Sequence, residues 1–268
     1  ELFAFGNSEQ GNDLVLWDSA TLAEPADGGY RFTGTKIFTS LAPAWTRLGI
    51  FGRDGDRLVH GFITRDTPGW RSLDDWDTLG MRATQSHTTV LEGAMVAPER
   101  VARILPVGPN ADPFIFGIFS NFLLLIGSVY AGIADRALEL AVEAVKRRTS
   151  LKSGTTYDQD PDFRWRIADA ALALDALAPQ LESLASDVDG LVGHGADWFR
   201  YLTGAKHRAT ETARYVVDQA MRSAGGGGYR TGAELSRLQR DVLAGIYHPS
   251  DTESVHNTVA TNLLGPLA

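Results

Sequence analysis

The sequence of 268 residues predicts an α+β fold, with a β domain over residues 1–108 and an α-helical bundle over residues 109–268. Short apolar or alternating runs separated by turn residues fill most of the first part, which is typical of strands. Beyond it, apolar residues recur at helical spacing. The segment 106–113 carries Gly108, Asn110 and Asp112 between its prolines, so we place the junction there.

Four runs in the first part have strand character, and glycine or aspartate turns separate them. The runs are 14–17, 30–33, 48–52 and 59–64, and the turn signals are 27–29, 53–56 and 68–69. Strands joined by such short turns pair with their neighbours in the chain. We therefore expect an antiparallel sheet or barrel.

The second part is predicted to contain long helices joined by short polar linkers. Helical spacing covers about 114–148, 160–190, 193–223, 232–244 and 251–264. Leu174, Leu177 and Leu181 recur at near-helical intervals, with acidic residues on the opposite face. An up-down bundle is the arrangement that buries such faces.

Composition excludes several functions. A net charge of −8 without a basic tract argues against nucleic acid as a partner. The absence of cysteine rules out disulfides and thiolate metal sites and is compatible with a reducing cytoplasm, where we expect the protein. His248 and His256 are too far apart for a helical metal pair, and no zinc motif occurs, so no metal is expected.

An uncharged stretch over residues 114–134 is long enough to raise the question of a membrane span. It contains Gly117, Asn121 and Gly127, and it continues into the amphipathic segment 135–143. This profile is typical of a buried helix in a bundle. We therefore predict no membrane insertion.

The most specific string in the chain is 79–84, Leu-Gly-Met-Arg-Ala-Thr, followed by 96–101, Val-Ala-Pro-Glu-Arg-Val. Both are similar to strings of the acyl-CoA dehydrogenase superfamily, and the resemblance extends over nearly all of the sequence. It implies an FAD-dependent oxidoreductase that acts on a small molecule, most plainly an acyl-CoA. Arg82 and Thr84 are then expected at the substrate.

Two further strings in the β domain resemble flavin-binding segments of this family. The first is 7–13, Asn-Ser-Glu-Gln-Gly-Asn-Asp, in which Gly11 and Asp13 match the family pattern. The second is 34–40, Gly-Thr-Lys-Ile-Phe-Thr-Ser. The resemblance implies that Phe38 packs on the flavin ring and that Ser40 contacts it near the reactive nitrogen.

The helical part carries the strings that the family uses for the rest of the cofactor. Arg148 matches an arginine that reaches the FAD pyrophosphate, and a guanidinium suits phosphate because its donors form a fork. The run 225–229 and the segment 237–241 resemble Gly-Gly-x-Gly-Tyr and Arg-x-x-Arg-Asp. The expected cofactor contacts in this region are Arg222, which replaces the usual glutamine, Gly225, Gly226 and Gly228. Since a neighbouring subunit commonly supplies these contacts, the resemblance implies a homotetramer or dimer.

The sequence departs from the family at the catalytic base. The family's usual glutamate lies in Tyr-Glu-Gly-Thr, where this chain has Tyr247 and His248, and a second family position for it holds Asn121. We therefore predict His248 as an acid, a base or a hydrogen-bond partner of oxygen at the flavin. Asp251 or Glu253 is the alternative, as a displaced carboxylate base.

Three functions remain open from the sequence. The first is α,β-dehydrogenation of an acyl-CoA thioester by an FAD enzyme that lacks the usual glutamate. The second is a flavin-dependent monooxygenase on the same scaffold, with FMN or FAD, because the ending around His248 resembles that branch of the superfamily. The third is a non-catalytic subunit of a hetero-oligomer. The family's N-terminal helical domain is expected to be absent from this sequence.

Overall fold

The computed structural model describes residues 1–267. The chain divides into two compact units, Glu1–Gly117 and a second that begins at Ile118. The strands lie in the first unit, and the six α-helices lie in the second, apart from the first turn of the first helix. The predicted α+β class and the order of sheet before helices are confirmed.

An eight-stranded sheet forms the β unit. Its strands are β1 (Phe3–Gly6), β2 (Leu22–Ala26), β3 (Gly29–Lys36), β4 (Arg47–Asp54), β5 (Arg57–Thr64), β6 (Trp70–Ser72), β7 (Thr89–Val96) and β8 (Val101–Pro106). The order is β6-β7-β3-β2-β4-β5-β8, and β1 also pairs with β4. Most pairings are antiparallel as predicted, whereas β1 and β2 pair with β4 in parallel, so the sheet is mixed.

The core of the β unit lies against β3, β4, β5 and β7. Phe32, Trp45 and Leu48 are completely buried, and the Trp45 ring lies 4.6 Å from that of Trp70. The predicted strand at 14–17 is wrong, because Val15–Trp17 forms a 3-10 turn. Asn12 accepts the Leu14 N–H at 3.0 Å, and this local bond favours a turn over a strand.

Six α-helices follow, in the order predicted but with one additional break. They are α1 (Pro113–Arg147), α2 (Pro161–Asp175), α3 (Leu177–Asp189), α4 (Asp197–Ala224), α5 (Glu234–Val242) and α6 (Thr252–Leu264). The predicted helix over 160–190 is two helices, α2 and α3. Pro179 has no N–H to continue the hydrogen-bond ladder back to Asp175, so a new helix begins in this region.

The central helix of the second unit is α4. Its small apolar residues Ala205, Ala209 and Ala213 are completely or almost completely buried at intervals of four. Within residues 1–267, α1 is the one helix long and apolar enough to cross a membrane by length and composition, which is weak evidence by itself. Tyr130, Ala134 and Ala137 form a fully buried face of α1, as a bundle helix requires.

The hairpin between β2 and β3 gives a test of the fold. Gly28 and Gly29 both have positive φ, but a Cβ on Gly29 would lie 2.0 Å from the Val96 carbonyl oxygen, whereas one on Gly28 meets open space. We expect Gly29→Ala to destabilise the protein by on the order of 3 kcal/mol and the control Gly28→Ala by about 1 kcal/mol. Urea unfolding measures the free energy of unfolding of both variants. Equal losses would contradict the close contact of Gly29 with Val96, at the end of β7.

Candidate functional site

In the β unit, the two strings around Phe38 and Arg82 lie side by side. Backbone hydrogen bonds run from Thr39 N to His87 O (3.2 Å), from Leu41 N to Thr84 O (2.9 Å) and from Ala42 N to Gln85 O (3.2 Å). We call residues 38–42 and 81–87 the paired loops. The fold thus brings Phe38 and Ser40 to the loop that carries Arg82 and Thr84, more than 40 positions further along the sequence.

The paired loops contain strained backbone. Phe38, Leu41, Met81 and Gln85 all adopt positive φ, between 47° and 63°. A residue with a side chain loses about 1–2 kcal/mol in this conformation. Strain of this kind persists only where neighbouring contacts enforce it, and it concentrates at functional sites. The paired loops are therefore the candidate site of the β unit.

A row of hydroxyl groups connects the paired loops. Ser40 Oγ lies 2.8 Å from Ser86 Oγ, which lies 2.7 Å from Thr84 Oγ1, and Thr84 donates to the Met81 carbonyl at 2.8 Å. Each hydroxyl has a single hydrogen. Because Thr84 gives its hydrogen to Met81, Ser86 donates to Thr84 and Ser40 donates to Ser86.

The aromatic ring of Phe38 is 58% exposed and packs edge-on against Trp76, with ring centroids 6.1 Å apart. Trp76 is held by its Nε1–H, which donates to the Met81 carbonyl at 3.0 Å.

His87 Nδ1 accepts the backbone N–H groups of Asp75 and Trp76, both at 3.1 Å. The remaining hydrogen of His87 is therefore on Nε2, which points to Gln85 Oε1 at 3.2 Å. Sequence reasoning missed both Trp76 and His87, since neither has a distinctive spacing.

The loop 7–13 is anchored by a buried ion pair that sequence reasoning also missed. Lys36 Nζ lies 2.5 Å from Glu9 Oε1, and the two side chains are 0% and 2% exposed. The same oxygen also accepts hydrogen bonds from Ser19 Oγ (2.7 Å), Thr21 Oγ1 (2.6 Å) and the Thr21 N–H (3.0 Å). Gly11, with φ of 73°, and Asp13 lie exposed beyond this anchor.

The charges of this pair are set by opposing effects. Burial alone would raise the pKa of Glu9, but the Lys36 ammonium and the hydrogen bonds from Lys36, Thr21 and Ser19 outweigh it and lower the pKa to about 2. Burial lowers the pKa of Lys36 to about 8 against the opposing effect of Glu9. Glu9 and Lys36 are both charged near neutral pH, so loop 7–13 is tied to β3 by a charge pair.

Arg82 is exposed, and its Nε donates to the Thr78 carbonyl at 2.7 Å. This hydrogen bond holds the Nε end of the Arg82 guanidinium near the start of the second paired loop. Thr84, by contrast, is half-buried in the hydroxyl row. The two predicted substrate residues of the β unit therefore differ in their surroundings, since the Arg82 side chain is exposed and the Thr84 hydroxyl is engaged within the paired loops.

In the helical unit, Arg148 and the glycine run lie together. Arg148 Nη1 donates to the Ser223 carbonyl at 2.8 Å, and its guanidinium lies 4.6 Å from the centre of the Tyr157 ring. A Cβ on Gly225, where φ is +64°, would lie 3.1 Å from that guanidinium. Only glycine allows this close approach without strain.

The rest of the glycine run is open. A Cβ on Gly226 or Gly227 would meet no atom within 4 Å, whereas one on Gly228 would lie 3.1 Å from the Ala224 Cβ. Arg222 is exposed and pairs with Asp218 at 2.7 Å. An arginine with donors left over beside open glycine backbone fits a phosphate group. The region therefore suits the phosphate end of a flavin nucleotide.

His248 lies half-buried in the segment between α5 and α6. Its Nδ1 is 3.0 Å from the hydroxyl of Tyr130, on α1. The Lys206 ammonium, on α4, donates to the carbonyls of Gly245 (3.1 Å), His248 (2.6 Å) and Ser250 (2.9 Å). Burial and the Lys206 charge lower the pKa of His248 to about 4, so its imidazole is neutral near neutral pH.

The carboxylates proposed as alternative bases lie at the start of α6. Asp251 caps this helix, because its Oδ1 accepts the Ser254 N–H at 2.8 Å, and hydrogen bonding from the Ser254 side chain and from this N–H lowers the pKa of Asp251. Glu253 is exposed in the first turn. Asn121, exposed on α1, lies nine positions before Tyr130. Asp251 is thus a weak base in this arrangement.

The helical unit matches a known family model. Residues 124–250 match the family described as acyl-CoA dehydrogenase, C-terminal domain. Among curated relatives, an amino sugar nitrososynthase, DnmZ, of Streptomyces peucetius is 30% identical over 86% of this chain and 58% of its own length. Dibenzothiophene monooxygenase of Mycolicibacterium goodii is 29% identical over 91% of this chain and 64% of its own length. The chain thus spans less than two thirds of each relative.

Solved structures share the fold over nearly all of the chain. Butyryl-CoA dehydrogenase of Megasphaera elsdenii covers 98% of this chain with a TM-score of 0.85 at 22% identity, and 68% of that protein is matched. The protein KijD3, in complex with FMN and a dTDP-linked amino keto sugar, covers 99% of this chain with a TM-score of 0.79 at 26% identity, and 65% of it is matched. The fold and the resemblance predicted from the motifs are confirmed.

The Glu9–Lys36 pair generates a pH test. Because the pKa of Glu9 is lowered in the folded state, its contribution to stability is present above about pH 4.5 and is lost as the pH falls towards 2. At pH 7 we expect Glu9→Gln to cost about 3–5 kcal/mol, since it leaves the Lys36 charge unpaired. The deficit relative to the wild type should shrink below pH 4.5, as measured by thermal unfolding. The control Glu24→Gln, at an exposed residue of β2, should show neither effect.

Proposed function

From the confirmed resemblance to the acyl-CoA dehydrogenase superfamily, whose members are flavin enzymes, we propose that this protein is a flavin-dependent monooxygenase that uses reduced flavin and oxygen. One observation carries the proposal. At the position where the family's dehydrogenases have glutamate, the chain has His248, a neutral imidazole bonded to Tyr130. This group is suited to donate a hydrogen bond and poorly suited to remove a proton from carbon.

Dehydrogenation requires a base for the α-proton of the substrate. With its pKa lowered to about 4, His248 is a weaker base than an ordinary histidine, and Asp251 is occupied in capping α6. An N–H at the imidazole can instead orient oxygen and help to supply a proton as water forms. The chemistry of the residues present therefore favours oxygen transfer.

The residues of each unit fit a flavin nucleotide. In the proposed complex Arg148, Gly225, Gly226 and Gly228 hold its phosphates, with Arg222 beside them, while Phe38 and Ser40 contact the ring. Reduced flavin supplies two electrons, which with two protons convert one atom of oxygen to water while the other is transferred to the substrate. Gly11 and Asp13, on the loop anchored by Glu9, are further proposed flavin contacts. The proposal includes both FMN and FAD as the flavin.

The substrate and assembly belong to the same proposal. We assign Arg82 to an anionic group of a small molecule, either an acyl-CoA or a sugar nucleotide, with Thr84 supporting its loop and Asn121 near the substrate. The complex of KijD3 with a dTDP-linked sugar supports the second class. A homo-oligomer, dimer or tetramer, in the cytoplasm completes the proposed setting.

Acyl-CoA dehydrogenation is the second candidate. It is supported by the string 79–84, which matches the family pattern in full, and by the fold shared with butyryl-CoA dehydrogenase. It would need Glu253, or Asp251 released from its cap, as the base. A spectroscopic experiment separates the two reactions.

We expect oxidised flavin on the protein to stay oxidised when acyl-CoA thioesters of several chain lengths are added without oxygen. Addition of reduced flavin and oxygen to a dTDP-linked amino sugar should yield an oxygenated product, detected by mass spectrometry. Bleaching of the flavin absorbance by any thioester at a catalytic rate would reject the monooxygenase and establish the dehydrogenase.

His248→Gln should lower oxygenated product on the order of 10²-fold and raise release of hydrogen peroxide, because the N–H that orients oxygen is displaced. His256→Gln is the matched control, since His256 is exposed on α6. Flavin affinity should be unchanged in both variants. If His248→Gln still forms one molecule of product for each molecule of oxygen consumed, His248 has no part in the mechanism.

Arg148→Met should weaken flavin binding by roughly 30- to 100-fold, as expected for the loss of charge-assisted hydrogen bonds to phosphate. Arg147→Met is the control, because the adjacent Arg147 is exposed at the end of α1. Quenching of flavin fluorescence measures both affinities. Equal affinities in the two variants would place the phosphate elsewhere.

A further inference from the structure

The segment that carries His248 is held by a buried cation. Lys206 is 1% exposed, and its three N–H donors go to the carbonyls of Gly245, His248 and Ser250. An ammonium group has three donors, so all of them are used. Among the residues described, Lys206 forms no ion pair within 4 Å, so the three carbonyls are its hydrogen-bond partners, while burial lowers its pKa and the charges of Asp251 and Glu211 raise it.

Lys206 forms hydrogen bonds with the backbone before, at and after His248. The carbonyls that it binds belong to positions 245, 248 and 250, so the turn cannot move without breaking a charge-assisted hydrogen bond. Burial lowers the pKa of Lys206 to about 8, which leaves the group mainly protonated at pH 7. Lys206 therefore fixes where the backbone of His248 lies.

The ring of His248 is held separately, by Tyr130. The Tyr130 side chain belongs to a completely buried residue, and its hydroxyl lies 3.0 Å from His248 Nδ1. A buried hydroxyl needs an acceptor for its hydrogen. Within the described chain Nδ1 is the partner in place, so Tyr130 donates and Nδ1 accepts. The hydrogen of the neutral imidazole is then on Nε2.

Gly245 packs closely against α1 and α4, which restricts movement of the segment 245–250. A Cβ on Gly245 would lie 3.0 Å from Thr210 Cγ2 and 3.2 Å from Tyr130 Cε1. The segment therefore approaches α1 and α4 as closely as an unsubstituted backbone allows. Backbone and ring are thus held by two residues from two different helices.

We propose that Lys206 and Tyr130 are positioning residues that together present His248 as an Nε2–H donor, with Lys206 fixing its backbone and Tyr130 its tautomer. The inference rests on the proposed function of His248. It adds a specific protonation pattern of the imidazole, which is measurable without substrate, flavin or turnover.

The test is nitrogen NMR of the protein with ¹⁵N-labelled histidine, in which His248→Gln identifies the signal among six histidines. We expect an unprotonated Nδ1 and a protonated Nε2 at pH 7. In Tyr130→Phe the pattern should become a mixture of tautomers, because the donor to Nδ1 is lost. The control Tyr30→Phe, at a residue of β3, should keep the wild-type pattern.

Lys206→Met should leave the fold but loosen the segment. Amide hydrogen exchange of residues 245–250 should accelerate at least tenfold, whereas Lys152→Met, at an exposed lysine, should leave it unchanged. If Lys206→Met does not fold, Tyr130→Phe still decides the proposal through its tautomer and kcat. Tyr130→Phe should lower kcat for oxygenation by roughly tenfold or more with little change in KM.

A protonated Nδ1 in the wild type, or a pattern unchanged in Tyr130→Phe, would overturn the positioning roles. The two proposals fail separately. The expected tautomer in a protein that oxygenates nothing would reject the monooxygenase and keep the positioning inference. Oxygenation with a protonated Nδ1 would do the reverse.

Discussion

Each unit of this protein buries one lysine ammonium, and a buried charge must be matched by partners or the fold is lost. In the β unit the partner of Lys36 is the carboxylate of Glu9, which brings loop 7–13 onto β3. In the helical unit Lys206 is matched by three backbone carbonyls, which bring the segment 245–250 onto α4. Loop 7–13 and the segment 245–250 are therefore fixed by the same physical requirement.

The paired loops of the β unit are maintained in a different way. Phe38, Leu41, Met81 and Gln85 have backbone conformations that an isolated chain disfavours, so the surrounding hydrogen bonds must compensate. The bonds from Thr39, Leu41 and Ala42 to the facing loop serve this purpose, and His87 secures the segment that carries Trp76. The exposed ring of Phe38 belongs to one of these strained residues.

Much of the architecture could be predicted from the sequence, because it depends on local patterns. The hairpin at 27–29 follows from Gly28 and Gly29, and α1 and α6 follow from helical spacing. The run 14–17 was misleading because four apolar residues suit a turn as well as a strand. The break between α2 and α3 could have been found from Pro179.

The candidate site was predictable only where it resembles known strings. Those strings identified Phe38, Ser40, Arg148 and Gly225, and the structure brings them together in two groups, one in each unit. The pairing of Glu9 with Lys36, 27 positions apart, has no spacing by which it could be recognised. Lys206 binds backbone carbonyls, which every residue possesses, so no choice of amino acid at 245, 248 or 250 reveals the contact.

The hydroxyl row from Ser40 to Met81 has a direction, and that direction has a chemical consequence. Since the hydrogen of each hydroxyl is already committed towards the Met81 carbonyl, Ser40 offers an approaching molecule only lone pairs. A reduced flavin ring carries an N–H where the oxidised ring has a bare nitrogen. In the flavin complex that we propose, the polarity of one peptide carbonyl, relayed through three side chains, would thus let Ser40 distinguish the reduced ring from the oxidised ring.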